Sequence, residues 1–332
     1  MVNKSLPNKA PRFFYGLLAA VAILLGIISL LLLHSSSLAV RINTLEKQVD
    51  QTNRQLASFE RTLCSDTRSV VHADTITKYT MESAGFQRTY QVHTPKDYDR
   101  SVRYPVIISF DGIEGSGDRM EAYSHLDTLP AITVYPDSLP GKRGFTSWQG
   151  APYSTEGDRD IQFVGDILSL LPSHYCIDST RTFAVGMSNG GSFATIAGCA
   201  LGSQIKAVAS VSGAYYSTCK QEQRTPSLLV IHSTDDHQAP FNGVVARKLP
   251  QVPKYVDTQA IERHCKTDAS KTLTESAVSY NWKQCDDNSL LRFVVLNGQA
   301  HGWLQVPQTT FQQTDSTAGY IWNFFEEAVY TN

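Results

Sequence analysis

Thr182-Phe183-Ala184-Val185-Gly186-Met187-Ser188-Asn189-Gly190-Gly191 is an apolar, strand-like run that enters a G-x-S-x-G turn, and small residues follow it from Ser192 to Gly198. Glycine on both sides of the serine fits a nucleophile held on a sharp strand-to-helix bend, where a β-carbon would obstruct the returning backbone. The small residues beyond let a helix pack closely under a sheet. Ser188 is therefore a candidate nucleophile, and the amide of Asn189 behind it a candidate oxyanion donor. The five-residue pattern arises by chance in about one chain in ten of this length, so partners are needed elsewhere.

The same texture extends both ways along the chain. Val106-Ile107-Ile108-Ser109-Phe110, Ala131-Ile132-Thr133-Val134-Tyr135, Ala207-Val208-Ala209-Ser210-Val211, Leu228-Leu229-Val230-Ile231-His232 and Arg292-Phe293-Val294-Val295-Leu296 are short apolar runs bounded by turn residues. Near-continuous hydrophobicity of this kind fits parallel strands covered on both faces. Between them, Ile161, Val164, Ile167, Leu168 and Leu171 share one helical face. The alternation predicts an α/β fold with a doubly wound, mostly parallel sheet. Gln251 to Asn288 is long and polar, and reads as a lid or as a surface excursion.

Open α/β sheets carry their sites at the carboxyl ends of their strands. Ser233-Thr234-Asp235-Asp236-His237 follows one run and Asn297-Gly298-Gln299-Ala300-His301 follows another, which sets Ser, Asp and His in the chain order of α/β-hydrolases. Residues 85–325 resemble the polyhydroxybutyrate depolymerase and feruloyl esterase group of α/β-hydrolases, which includes LpqC-like secreted esterases. The landmarks are Arg88-Thr89-Tyr90 with Pro95, Tyr135-Pro136-Asp137, Asp160-Ile161-Gln162-Phe163, Ile177-Asp178-Ser179-Thr180-Arg181 and the Gly186–Gly191 turn. His232-Ser233-Thr234-Asp235-Asp236 with Pro240-Phe241 is similar to the family's H-G-T-x-D-x-x-V-P-Y, and Gly298-Gln299-Ala300-His301-Gly302-Trp303 to its G-G-G-H-x-W. The resemblance implies Asp236 as the acid, with Asp235 second, and Asp286 and Asp287 as outside alternatives. His301 is the base by position and order, ahead of His232, His237 and His264.

What the resemblance implies is a serine carboxylic-ester hydrolase working through an acyl-enzyme. Its second oxyanion amide would come from Gly112 or Ile113, in the loop after the first main strand. There the family has His-Gly and this chain has Asp111-Gly112, setting a carboxylate where negative charge would develop. Trp148 and Trp303 would line a substrate pocket or else pack in the core. The family pattern pairs Cys199 with Cys219 and Cys265 with Cys285, which leaves Cys64 for Cys176.

A formal net charge of -2 gives no basic footprint for nucleic acid. No C-x-x-C spacing occurs, so no structural zinc site is expected, and no cofactor is called for. Phe13 to Leu33 runs 21 residues without a charge, enough for a helix to span a bilayer core of roughly 30 Å. Lys4, Lys9 and Arg12 precede it, which predicts a signal-anchor with a cytoplasmic N-terminus at 1–12 and the rest periplasmic or extracellular, a cleaved signal peptide being the alternative. All six cysteines lie beyond that run. Leu38, Ile42, Leu45, Val49, Thr52, Leu56, Phe59 and Leu63 recur at heptad spacing, so 34–63 reads as a coiled-coil stalk that makes a homo-oligomer, or as a lone amphipathic helix. The catalytic domain is then 64–332. A peptidase or acyltransferase on the same fold, or a catalytically silent recognition module, are the alternative functions.

Overall fold

The computed structural model describes Arg41, Thr44, Lys47, Gln48 and Cys64, and then residues 71–217, 225–266, 269–274, 276–307 and 316–330. The chain divides into two units, Met1–Leu63 and Cys64–Asn332. In the first, Arg41, Thr44, Lys47 and Gln48 are helical and exposed. The predicted span at 13–33 and all eight predicted heptad positions lie outside the described residues. Among the described residues no helix is long and apolar enough to cross a membrane.

The second unit is built on one ten-stranded sheet. Its strands are β1 (Ile76–Ser83), β2 (Phe86–His93), β3 (Tyr104–Phe110), β4 (Ile132–Pro136), β5 (Ile177–Met187), β6 (Ala207–Val211), β7 (Ser227–Ser233), β8 (Ser270–Leu273), β9 (Ala277–Trp282) and β10 (Leu291–Leu296). The spatial order is β1-β2-β4-β3-β5-β6-β7-β10-β9-β8. The middle six, β4 to β10, are parallel, and an antiparallel pair is added at each edge. The six central strands match the six apolar runs singled out in the sequence, Ala131 alone falling one residue ahead of β4, and burial on both faces explains their texture.

Side chains alternate between two cores. Val106, Ile108, Phe110, Ala184, Val208 and Val230 face helices α2 (Arg159–Leu170), α3 (Asn189–Ala200) and α4 (Val252–Glu262). Ile107, Phe183, Val185, Ala209 and Ile231 face α1 (Gly117–Ser124) and α5 (Thr317–Tyr330). Phe183 stacks on Phe325 with ring centroids 4.5 Å apart, and a fully buried phenylalanine contributes on the order of 1.5–3 kcal/mol.

The segment 251–288 has a different role from a lid. Its first part is α4, which buries Val252, Tyr255 and Val256 in the core, and its second part is β8 and β9, which extend the sheet. At the opposite edge, β1 and β2 form a hairpin around Ala84 (φ 51°) and Gly85 (φ 77°), the positive-φ pair of a two-residue turn.

Two landmarks far apart in sequence meet in the core. Arg88 Nη1 donates to Asp160 Oδ1 at 2.9 Å, both side chains being essentially buried, and Nη2 donates to the Asp137 carbonyl at 3.1 Å. The guanidinium lies 4.0 Å from the centroid of the Phe163 ring, and the Gln149 amide donates to Asp160 Oδ2 at 2.9 Å. Removing one member of such a pair leaves a buried charge uncompensated, at a cost of about 3–5 kcal/mol. Arg88→Met is therefore expected to lower unfolding free energy by that amount in urea melts, and Arg88→Met with Asp160→Leu to recover at least half. Additive losses in the double variant would show that the two side chains are not coupled.

Candidate active site

The G-x-S-x-G turn joins β5 to α3 with Ser188 at φ 57° and ψ −121°, a conformation that a residue with a side chain adopts only under strain. The flanking glycines are required by contact. A Cβ at Gly186 would sit 2.1 Å from the Gly190 carbonyl oxygen, and one at Gly190 would sit 2.2 Å from that of Phe110. The Ser188 amide donates to the Val211 carbonyl at 2.9 Å, which ties the bend to the carboxyl end of β6.

Three side chains from separate strand ends then meet in line. Ser188 Oγ lies 2.9 Å from His301 Nε2, and His301 Nδ1 lies 2.7 Å from Asp236 Oδ2. The other oxygen of Asp236 accepts the amides of Gln238 at 2.9 Å and Ala239 at 2.8 Å, so the carboxylate is fixed from behind. Burial alone would raise the Asp236 pKa. Hydrogen bonds from His301 and the Ala239 amide, with the charges of His301 and His232, outweigh it and hold the carboxyl below its ordinary value. His232 is buried beneath, donates through Nε2 to the Ala239 carbonyl at 2.8 Å, and has its pKa lowered chiefly by burial.

The neighbouring acids have other partners. Asp235 is exposed and accepts from the Thr234 hydroxyl and the Gly298 amide, stapling the two loops that carry Asp236 and His301. Asp286 pairs with His264 at the surface, and Asp287 accepts the Thr225 amide. His237 is exposed.

Across from the serine, the loop after β3 comes so close that a Cβ on Gly112 would lie 3.1 Å from Ser188 Cβ and 3.6 Å from its Oγ. The Gly112 amide, expected as an alternative oxyanion donor, is already used: it donates to Asp111 Oδ1 at 2.6 Å. The amides of Glu114, Gly115, Ser116 and Gly117 donate to the Thr146 carbonyl, the Gly112 carbonyl, Asp111 Oδ2 and Asp137 Oδ1. Among the described residues, Ile113 has the only amide from 112 to 117 without an acceptor. On the elbow side the Asn189 amide opens α3, where a helix leaves its first N–H groups unpaired.

Asp111 itself is buried, and its carboxylate folds back over its own loop, where it accepts the Gly112 and Ser116 amides. Tyr123 Oη donates to its Oδ1 at 2.6 Å and Arg119 Nε to its Oδ2 at 2.6 Å. Burial and then Asp111 push the Tyr123 phenol upward, so it stays a donor, and the hydrogen bond to Asp111 raises Arg119. Arg119, Tyr123 and Gly115 were not expected at the site from sequence. The N-cap Ser116 ahead of α1 was the available signal, because a helix start there returns Arg119 and Tyr123 over the loop.

Trp148 does not line a pocket. It is 1% exposed, stacks on Phe193 and donates Nε1–H to the Asp111 carbonyl at 3.0 Å. Its backbone exchanges hydrogen bonds with the Asn189 side chain, so it braces the elbow against the loop after β3. Trp303 is half-buried beside Tyr123, with ring centroids 6.0 Å apart. Disulfides join Cys64 to Cys176 and Cys265 to Cys285. Cys199 is also disulfide-bonded, and its expected partner Cys219 lies outside the described residues. Among the described residues no His, Cys, Asp and Glu cluster could hold a metal ion.

Comparison with known proteins bears on the family and the fold. The chain is 25% identical over 237 residues to a bifunctional acetylxylan esterase/xylanase of Neocallimastix patriciarum, covering 68% of this chain and 32% of that one. It is 26% identical over 200 residues to "Probable feruloyl esterase C" of Aspergillus clavatus, covering 60% and 71%. The acetyl xylan esterase of Aspergillus awamori superposes with a TM-score of 0.57 at 13% identity, over 76% of this chain and 99% of that one, and shows the shared fold. Residues 82–318 match the family model described as "Putative esterase". With that match over most of its length, on an α/β-hydrolase-like fold, the chain belongs to this esterase family.

Proposed function

We propose that ester hydrolysis runs through Ser188, His301 and Asp236 by way of an acyl-enzyme. The observation that carries this reading is the continuous relay of 2.9 Å from Ser188 Oγ to His301 Nε2 and 2.7 Å from His301 Nδ1 to Asp236. Ser188 Oγ attacks the ester carbonyl while His301 Nε2 takes its proton, and the imidazolium is held by Asp236. The oxyanion is met by the amides of Asn189 and Ile113. His301 then returns the proton to the leaving alkoxide, and water repeats the sequence to release the acid.

The substrate class is an acyl ester on a carbohydrate, acetyl or feruloyl, with polyhydroxyalkanoate esters as the competing class. The acetylxylan and feruloyl esterase names of the relatives support the first. The site works outside the cytoplasm, held to a membrane by residues 13–33 and oligomerised through 34–63. The uncharged run after Lys4, Lys9 and Arg12, the heptad spacing and the disulfides of the body support this.

Ser188→Ala is expected to abolish fluorophosphonate labelling and to lower kcat by a factor on the order of 10⁴ or more on nitrophenyl acetate. Undiminished turnover in that variant would sink the mechanism. On a panel of acetylated xylan, methyl ferulate and hydroxybutyrate oligomers, the first two should be cleaved in preference to the third, and the reverse ranking would reassign the substrate class.

The lowered pKa of Asp236 also sets a sign for stability against pH. A carboxyl depressed in the folded state stabilises fully above its unfolded value of about 3.9, and that contribution is lost as pH falls through the folded value. Unfolding free energy should therefore drop on acidification below about pH 4, and Asp236→Asn should flatten that limb while lowering kcat about 10²–10⁴-fold. An unchanged acid limb in Asp236→Asn would contradict the assigned ion pair.

A further inference from the structure

We propose that Asp111 is a positioning residue that reserves the Ile113 amide for the reacting oxygen, with Tyr123 and Arg119 keeping its carboxylate neutralised and turned away. The inference rests on the reading that Ser188 forms an acyl-enzyme, and it deepens that reading by explaining how a carboxylate is tolerated beside an oxyanion.

The loop from Asp111 to Gly117 is organised around that one side chain. Its Oδ1 accepts from the Gly112 amide at 2.6 Å and the Tyr123 hydroxyl at 2.6 Å, and its Oδ2 from Arg119 Nε at 2.6 Å and the Ser116 amide at 3.2 Å. Four donors on two oxygens leave little acceptor capacity directed at the serine. The fold makes room for the inward turn, because a Cβ on Gly115 would lie 2.3 Å from Asp111 Cγ.

Two consequences follow for the reaction. First, by engaging Gly112 N–H and Ser116 N–H, the carboxylate fixes the loop so that Ile113 N–H is the one amide from 112 to 117 without an acceptor. Donors fixed before the charge develops need no reorganisation in the transition state. Second, the Arg119 guanidinium supplies the countercharge that would otherwise be missing, and the phenol of Tyr123 adds a charge-assisted bond. The Asp111 carbonyl also accepts from Trp148, whose backbone holds the Asn189 side chain, so both oxyanion amides are aligned from the same residue.

A positioning role and a merely structural one differ in what they change. Full-length Asp111→Ala, compared with Asp111→Asn and wild type, is assayed on nitrophenyl acetate and for affinity to benzeneboronic acid, which forms a tetrahedral adduct on the serine. Asp111→Ala is expected to lose about 10²-fold in kcat with KM changed less than threefold, and boronate affinity is expected to fall in parallel. Asp111→Asn should recover about tenfold of the loss, because its amide oxygen can still accept from Gly112. If Asp111→Ala does not fold by near-ultraviolet circular dichroism, Tyr123→Phe serves instead, with an expected loss of about three- to tenfold in kcat and boronate affinity. Folded variants with kcat and boronate affinity within twofold of wild type, or a loss confined to KM, would overturn the inference. Hydrolysis by wild type that persists in Ser188→Ala would overturn the acyl-enzyme reading, and this inference with it.

Discussion

Everything at the site depends on how closely three backbone segments approach one another. The carbonyls of Phe110 and Asp111 lie where a Gly190 Cβ would be, the Gly190 carbonyl lies where a Gly186 Cβ would be, and the Val211 carbonyl holds the Ser188 amide. The ends of β3, β5 and β6 are thereby locked into a single knot of main chain. A strained serine persists only where its surroundings over-determine it, and this knot supplies that condition. Because β3 and β5 are hydrogen-bonded neighbours in the parallel sheet, Ser188 and the Ile113 loop inherit their separation from strand spacing instead of from flexible side chains.

A second theme is the handling of buried carboxylates. Asp111, Asp160 and Asp236 are each about 2% exposed or less, and each has its oxygens occupied by donors from different segments. Burying an ionised carboxylate is tolerable only with such partners. The three acids therefore act as joints: Asp160 binds α2 to β2, Asp236 binds the β7 loop to the histidine, and Asp111 binds the loop after β3 to α1.

How much of this was legible in the sequence follows from which signals are local. The central strands are buried on both faces, so they read as continuous apolar runs, and the G-x-S-x-G turn announces a steric need that only glycine meets. The edge strands carry no such signal: β8 is Ser-Lys-Thr-Leu and entirely exposed, and β1 is polar for most of its length. Helix α5 does carry a legible apolar face of Tyr320, Ile321, Phe324, Phe325 and Ala328, but it lies beyond every site motif. Asp235 and Asp236 are adjacent and chemically alike, and only the turn of the loop sends one to Gly298 and the other to His301. Trp148 could be read as pocket or core because indole suits both, and its hydrogen bond to a distant carbonyl decides for the core. The role of Asp111 was illegible for the same reason, since its meaning depends on a side chain folding back over Gly115.

The bond between Cys64 and Cys176 has a mechanical consequence. Without it, tension applied at residue 64 would pass along the chain into β1, an edge strand in an antiparallel hairpin, whose ladder opens one pair at a time. With it, tension bypasses that hairpin and enters β5 at its amino end, and from Phe183 to Gly186 that strand is paired on both sides, with β3 and β6. Load along a central parallel strand is resisted by many hydrogen bonds sheared together. The disulfide thus converts a body that would unzip from its edge into one that is gripped through its middle, at the end of β5 opposite the serine.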